Sequence, residues 1–230
     1  MMALSPEEWQ ALALSLRVGL LSVVVSLPFA LGLAWVLSRK RFPGRLLVEA
    51  LMFLPLTLPP VVTGYALLVV FARHGWIGEW LAEFGVVFAF RWSGAVLAAA
   101  VMGFPLLVLS IRVAFDHVDQ RLERAAETLG AGPWRRFMTI VVPLSTRGIV
   151  AGCVLAFARA FGEFGATITF VSSIPGETRT LPIAIYELMS MPGGDSGVQR
   201  LTVVALAVAF AATVVAAFLG GSLWGRRRHD

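Results

Sequence analysis

Long apolar blocks dominate the sequence and decide what class of protein it can form. Hydrophobic residues make up 58% of the 230 residues and charged residues only 14%, whereas a soluble domain carries roughly 25% charged residues. A membrane-spanning helix needs roughly 20 apolar residues, and these blocks are much longer than the roughly ten-residue strands of an outer-membrane barrel. We therefore predict an all-α membrane protein, a bundle with five spans at about 9–38, 46–71, 93–115, 147–170 and 201–224.

Basic residues are distributed unevenly between the two ends of these spans. Of the 19 Lys and Arg residues, Arg17 and Arg159 lie inside spans. Four lie at one end of the bundle, namely Arg73, Arg91, Arg179 and Arg200. The remaining thirteen lie at the other end, namely Arg39, Lys40, Arg41, Arg45, Arg112, Arg121, Arg124, Arg135, Arg136, Arg147, Arg226, Arg227 and Arg228. Because cytoplasmic loops carry the excess of Lys and Arg, we expect the N-terminus outside, the C-terminus inside, and a cytoplasmic loop at 116–146.

This distribution also explains the net charge of +5 without a nucleic-acid partner. The segment before the first span carries Glu7 and Glu8 and lacks the basic start of a signal peptide, so this span is expected to stay as an anchor. Ser5 is predicted to cap its helix, with Pro6 as the first residue and Glu8 at the capping-box position.

The loop at 116–146 is a charged excursion much longer than a simple turn. Within it, Leu122, Ala125, Ala126 and Leu129 recur at three- and four-residue spacing, which predicts a short amphipathic helix over 120–129. Asp119 is the expected N-cap, and Gly130 and Gly132 stop the helix. Such a helix either lies on the lipid surface or docks on a soluble partner.

The spacing within this loop resembles the EAA signature of ABC importer permeases, a two-alanine helix followed by a glycine and an I-x-L-P ending. Arg124 stands at the usual Glu position with Glu123 before it, and Val142 replaces the usual Leu. The resemblance implies that the helix couples the permease to a cytoplasmic ATPase. The coupling residues it implies are Glu123, Arg124, Ala125, Ala126, Leu129, Gly130 and Pro143.

Other stretches narrow the resemblance to permeases of molybdate importers. They are FPG at 42–44, LPLTLPPVVTGYALLV from Leu54, and GEFGATITFVSSIPGETRTLP from Gly162. The resemblance implies the type I importer fold in a bacterial cytoplasmic membrane, as a homodimer with two ATPase subunits and an extracytoplasmic oxyanion-binding protein. It implies import of molybdate and tungstate, with sulfate or thiosulfate as the alternative. No Walker A loop is present, so the chain is expected to be no enzyme and to bind no cofactor, with ATP and magnesium on the partner.

The second span contains three prolines within six residues, Pro55, Pro59 and Pro60. They remove backbone hydrogen bonds, so the helix is expected to break or bend near the middle of the membrane, where irregular backbone needs protein or a water-filled path beside it. The break marks either a kinked packing helix or part of the translocation pathway. Our pathway candidates are Pro55, Pro59, Thr63, Phe161, Glu163 and Thr167.

The fourth span contains Arg159 and Glu163, four residues apart and able to form an ion pair within a helix. A charge inside a membrane suggests a functional site, whereas a neutral pair can simply hold helix packing. Gly162, Gly165 and Ala166 beside it predict close helix contact. A membrane enzyme using this pair would need further polar groups on neighbouring spans, and a secondary carrier would show an inverted repeat; neither is evident.

Two short elements are expected outside the spans, a surface helix over 77–84 and an apolar helix over 181–191 that is too short to cross and is either interfacial or re-entrant. No metal site is predicted, because His74, His117 and His229 are scattered and Cys153 is the single cysteine.

Overall fold

The computed structural model of the protein describes residues 4–224, which form helices and connecting turns. The predicted basic C-terminus, Arg226 to Arg228, lies outside the described residues. The helices are α1 Pro6–Arg39, α2 Arg45–Thr57, α3 Pro60–Phe71, α4 Gly78–Glu83, α5 Trp92–Asp116, α6 Gln120–Thr128, α7 Pro133–Arg136, α8 Val142–Leu144, α9 Thr146–Phe161, α10 Gly165–Val171, α11 Leu181–Met189 and α12 Asp195–Trp224. A π-helical turn, Phe137–Val141, joins α7 to α8.

Three of the described helices, α1, α5 and α12, are individually long and apolar enough to cross a membrane. Two further candidates are bent pairs, Arg45–Thr57 with Pro60–Phe71 at 113° and Pro133–Leu144 with Thr146–Phe161 at 74°. The described part of the chain therefore holds three such spans, or up to five if each bent pair counts as one.

The helix starts follow the local signals in the sequence. Ser5 caps α1 with a complete capping box, because its hydroxyl accepts from the Glu8 N–H at 3.2 Å and its own N–H donates to the Glu8 carboxylate at 2.8 Å. The break between α2 and α3 falls at Leu58 and Pro59, with Pro60 as the first residue of α3. The predicted interruption of this segment is therefore confirmed.

Two predicted boundaries were wrong. The segment 147–170 is not one helix, because α9 ends at Phe161 and α10 begins at Gly165. The sequence shows apolar residues on both sides of this break, which made it resemble a continuous span. The last helix begins at Asp195 rather than near 201, since the polar residues of its first turn resemble a loop.

Helix α5 forms the centre of the bundle, while α12 is peripheral. The most apolar window of α5 is 61% buried, against 11% for α12. Ala95, Ala98 and Ala99 are at most 1% exposed, and small side chains of this kind let neighbouring helices approach closely. Helices α1 and α9 pack on this centre, and Leu37, Ile111 and Phe115 fill one end of it.

The two short predicted helices are present. Helix α4 occupies Gly78–Glu83, with Ile77 and Phe84 as its caps. Helix α11 packs against α1 and α12, and the Leu181 N–H donates to the Ser15 hydroxyl at 2.6 Å. Because Leu181 and Ile183 are at most 1% exposed, α11 is an integral part of the bundle's packing.

Candidate functional site

Helix α6 has the features predicted for a docking helix. The Asp119 carboxylate accepts from the Arg121 N–H at 2.8 Å, which confirms the N-cap. Gly130 has a φ of +82°, a left-handed conformation that glycine adopts without the steric cost of a side chain. None of the residues of α6 is buried, and Leu122 and Leu129 are 49% and 88% exposed. The apolar side of this helix is therefore uncovered by the described chain.

Glu123 attaches α6 to the rest of the bundle. Its carboxylate accepts from the Arg39 guanidinium at 2.8 Å, and Arg39 also donates to the Phe115 carbonyl oxygen at 2.8 Å. The Arg39 side chain is only 12% exposed. One arginine at the end of α1 thus joins α1, α5 and α6. Nothing in the sequence distinguished Arg39 from the other residues of the basic turn.

Arg124, the residue next to Glu123, is exposed and forms no ion pair within residues 4–224. The two residues at the charged positions of the signature therefore face different environments. Glu123 holds the helix internally, whereas Arg124 is available to a ligand or partner.

A second set of contacts fixes the segment after α6. Arg136 on α7 pairs with Glu127 at 2.5 Å, but Glu127 is 60% exposed, and such surface pairs contribute little because water screens them. Phe137 is the stronger anchor, since it is 4% exposed and its ring lies 5.3 Å from Trp35 and 5.9 Å from Phe115.

Pro143, the last residue of the predicted coupling set, does not lie on α6. It is an exposed residue of α8, just before the 74° bend into α9. Because proline has no N–H, it removes one helical hydrogen bond at this point. The structure therefore associates Pro143 with the bend, while the other six residues of the set lie on or directly after α6.

Helices α3 and α10 meet backbone to backbone. A Cβ added to Gly64 would lie 2.5 Å from the Ala166 carbonyl oxygen and 2.8 Å from its Cα, and one added to Gly165 would lie 2.7 Å from Pro60 Cβ. Real Cβ atoms do not approach other atoms so closely. The predicted close helix contact is confirmed at Gly165 and Ala166, but not at Gly162, where an added Cβ would meet only the Ala158 carbonyl oxygen of α9, at 3.7 Å. The partner in this contact, Gly64, is a residue that sequence reasoning did not identify in this role.

Glu163 stabilises the break between α9 and α10. Its side chain is 2% exposed, one carboxylate oxygen pairs with Arg159, and the other accepts from the Ala166 N–H at 2.8 Å. The predicted ion pair is present, but it does not lie within one helix as expected. Glu163 lies in the break and satisfies a free N–H in the first turn of α10, which is the role of a capping side chain.

The remaining pathway candidates do not form one lining. Thr63 and Thr167 are buried, at 6% and 1% exposure, on the paired helices α3 and α10. The Thr63 hydroxyl has no hydrogen-bond partner among the described residues. Phe161 is also buried, but it packs with Leu12 and Leu181 in a different cluster. Pro55 and Pro59 lie on α2 and at the bend, where Pro59 is exposed.

Residues 26–227 match the family of binding-protein-dependent transport system inner membrane components. The chain belongs to this family. It is 57% identical over 219 residues to the molybdenum transport system permease protein ModB of Escherichia coli K12, covering 95% of this chain and 96% of that protein. It is 40% identical to the sulfate transport system permease protein CysT of the same organism, over 69% of this chain and 57% of that protein.

The fold agrees with membership of this inner membrane permease family. The chain superimposes on a chain of a bacterial alginate ABC transporter, solved in complex with an alginate pentasaccharide-bound periplasmic protein, with a TM-score of 0.68. The match covers 97% of this chain and 80% of that chain at 18% sequence identity. The protein is thus an inner-membrane permease with the fold of ABC importers, helical throughout the regular structure of residues 4–224, and its relatives are transport proteins.

Proposed function

We propose that the chain is the permease subunit of an ATP-driven importer that brings molybdate, and with it tungstate, into the cytoplasm. The observation that carries the proposal is the 57% identity to the molybdenum permease over 95% of the chain. Sulfate or thiosulfate import is the second candidate, favoured by the 40% identity to the sulfate permease, which extends over a smaller part of both chains.

Two copies of the chain would form the pore, each with five spans, the N-terminus outside and the C-terminus in the cytoplasm. Two ATPase subunits would dock on the two copies of α6, and an extracytoplasmic binding protein would deliver the anion. The exposure of Leu122 and Leu129 supports this role for α6. Hydrolysis of ATP with its magnesium belongs to the ATPase, and this chain binds no cofactor.

The contacts of Arg39 support a direct mechanical link. When the ATPase subunits close, α6 would move together with the ends of α1 and α5, because Arg39 bonds to Glu123 and to the Phe115 carbonyl. ATP favours one state of the importer only through differential binding to the closed ATPase. The motion of α6 conveys that preference to the bundle.

The pair of helices α3 and α10 is the part of the bundle that we assign to the translocation pathway. Each helix follows an interruption of helical structure, at 58–59 or at 162–164. Each also carries a buried threonine, Thr63 or Thr167. Neutral hydroxyls suit a transient pathway for a dianion, because they donate hydrogen bonds without holding the anion tightly. Glu163 supports the break and does not contact the anion, since its carboxylate already accepts from Arg159 and Ala166.

Uptake of labelled molybdate into proteoliposomes that contain this chain, its ATPase and its binding protein tests the function. We expect ATP-dependent uptake that excess tungstate blocks and excess sulfate does not. Vesicles without ATP and vesicles without the binding protein are the controls. Equal competition by sulfate, or uptake of labelled sulfate alone, would assign the importer to sulfate. Absence of ATP-dependent uptake of any of these oxyanions would reject both assignments.

A further inference from the structure

An open groove of about 590 Å³ lies between the end of α1 and the pair α6 and α7. Its volume falls within the range of small-molecule sites. Helix α1 contributes Trp35, Arg39 and Lys40 to the lining, and α6 and α7 contribute residues that include Glu123, Arg124 and Arg136. Arg39 and Glu123 of the coupling contact form part of its lining, but the open space of the groove is not used by that contact.

The groove has an excess of positive charge. It is lined by four cations, Arg39, Lys40, Arg124 and Arg136, against two carboxylates, Glu123 and Glu127. Both carboxylates are used internally, Glu123 by Arg39 and Glu127 by Arg136. Lys40 and Arg124 form no ion pair within the described residues 4–224. Two cations are therefore left for a ligand.

Hydrogen-bond donors are also in excess. The indole N–H of Trp35 and the Nε–H of Arg136 are buried without an acceptor in the described structure. Both side chains line the groove, so a ligand rich in acceptor oxygens would suit it. Two unpaired cations and two unsatisfied donors together indicate an anion with several oxygens, and a phosphate group has this chemistry.

The position of the groove favours a phosphate carried by a lipid. Trp35 lies one turn before the end of α1, and its ring lies 5.9 Å from the Lys40 ammonium. Tryptophan and basic residues at the end of a spanning helix lie at headgroup level. Basic pockets at the cytoplasmic side of membrane helices bind anionic headgroups.

The other possible occupant, an acidic face of the ATPase, is less well supported. The exposed apolar residues Leu122 and Leu129 belong to the part of α6 that a protein partner would cover, and neither lines the groove. The groove is lined instead by the polar residues Gln120, Glu123, Arg124 and Glu127 of that helix. The two surfaces of α6 can thus serve different ligands.

We propose that this groove binds the headgroup of an anionic phospholipid of the cytoplasmic leaflet. The leaflet assignment rests on the proposed orientation, whereas the binding itself does not. A lipid bound between α1 and α6 would contact both elements that Arg39 joins, so it would stabilise the position of the coupling helix.

Native mass spectrometry of the full-length chain in neutral detergent tests the proposal, with phosphatidylglycerol and phosphatidylcholine as competing probes. We expect one phosphatidylglycerol per chain, bound at least about tenfold more tightly than phosphatidylcholine. The double variant K40Q/R124Q should lower the affinity for phosphatidylglycerol about twentyfold, since each basic residue contributes roughly a fivefold increase in affinity. The matched control R121Q/R135Q removes two exposed charges of the same region that do not line the groove, and should change the affinity less than about twofold.

Each contrary result overturns the proposal in a different way. An equal loss of phosphatidylglycerol affinity in the two double variants would show that the lipid is held by general charge attraction and not by this groove. Displacement of phosphatidylglycerol by millimolar inorganic phosphate would make the groove a site for free anions. Unchanged lipid affinity in K40Q/R124Q, with loss of ATPase co-purification, would assign the groove to the ATPase.

K40Q alone changes one exposed side chain, so it tests the site without risk to folding. Because the assay uses the permease alone, a negative result leaves the transport proposal intact.

Discussion

Helix α6 and the contact between α3 and α10 use similar residues in opposite ways. In each region a glutamate pairs with an arginine, Glu123 with Arg39 and Glu163 with Arg159. At α6 the surroundings are open, and no residue of the helix is buried. At α3 and α10 the backbones touch, and Gly64 has no space for a methyl group.

This difference distinguishes an exposed helix, whose surface is free for binding, from two helices that are packed tightly against each other. The exposed apolar residues Leu122 and Leu129 can change without disturbing the bundle, whereas Glu123 attaches α6 to it through Arg39. Residues at the contact of α3 and α10 are packed closely against each other, and Gly64 has no space for a larger side chain. Substitutions at this contact should therefore reduce stability and transport together, whereas substitutions of the exposed apolar residues of α6 should reduce coupling and leave stability almost unchanged.

The largest loss in the free energy of unfolding should follow from removal of the Glu163 carboxylate. E163A would leave Arg159 without its partner and the Ala166 N–H without an acceptor. Breaking a buried pair costs about 3–5 kcal/mol, and we expect about 3 kcal/mol because Arg159 is 27% exposed. The loss of stability is measured by heating the protein in detergent and detecting the remaining folded fraction by size-exclusion chromatography.

The variant E163Q serves as the matched control for the ion pair. Its amide oxygen can still accept from the Ala166 N–H, so E163Q should lose less stability than E163A. Replacement of Arg159 as well, in R159M/E163Q, removes the unpaired charge and should recover part of the loss. Equal stability of E163A and the wild-type chain would show that Glu163 does not support the break.

The break at Glu163 also shows where sequence reasoning reached its limit. Asp119, Gly130 and the Ser5 capping box were predictable, because a cap acts over two to four residues and its residue types are characteristic. Glu163 caps α10 over the same distance, but apolar residues on both sides made it resemble a charge within a helix. The start of α12 at Asp195 was missed for the opposite reason, because its first turn is polar.

The long-range contacts had no signal in a single sequence. Arg39 and Glu123 are separated by 84 positions, and nothing in either segment indicates the other. The same holds for Gly64 and Ala166, which meet only when α3 packs on α10. The location of helix α6 could thus be predicted from its own residues, whereas its attachment to the bundle and the tight contact between α3 and α10 required the fold.

The second-largest loss of stability should come from a substitution at Gly64. In G64A the new methyl group would lie 2.5 Å from the Ala166 carbonyl oxygen, so α3 and α10 must separate. Overpacking of this kind costs about 1–3 kcal/mol, and we expect molybdate uptake to fall with stability. G32A is the control, since Gly32 on α1 has no atom within 4 Å of the added carbon; it should be neutral or stabilising by up to about 1 kcal/mol. The same melting temperature for both variants would contradict the contact.

At the end of α6, G130D should affect coupling more than stability. An aspartate at a φ of +82° is strained by roughly 1–2 kcal/mol, and it reorients the end of the helix that the ATPase would contact. We expect the variant to remain in the membrane but to lose ATPase co-purification and uptake. G132D is the control, because Gly132 has a φ of −64° and caps α7, where aspartate is favoured. Normal co-purification and uptake by G130D would reject the docking assignment.

The smallest effect on stability, with the sharpest loss of function, should come from the exposed side of α6. L122S/L129S replaces side chains that are 49% and 88% exposed, so the free energy of unfolding should change by less than about 0.5 kcal/mol for each substitution. Loss of these two anchors should still reduce ATPase co-purification, because apolar contact would drive docking. M138S is the control, since Met138 is 45% exposed outside α6. If L122S/L129S lowered stability as much as G64A, α6 would be a packed element of the bundle, and the contrast between the two regions would fail.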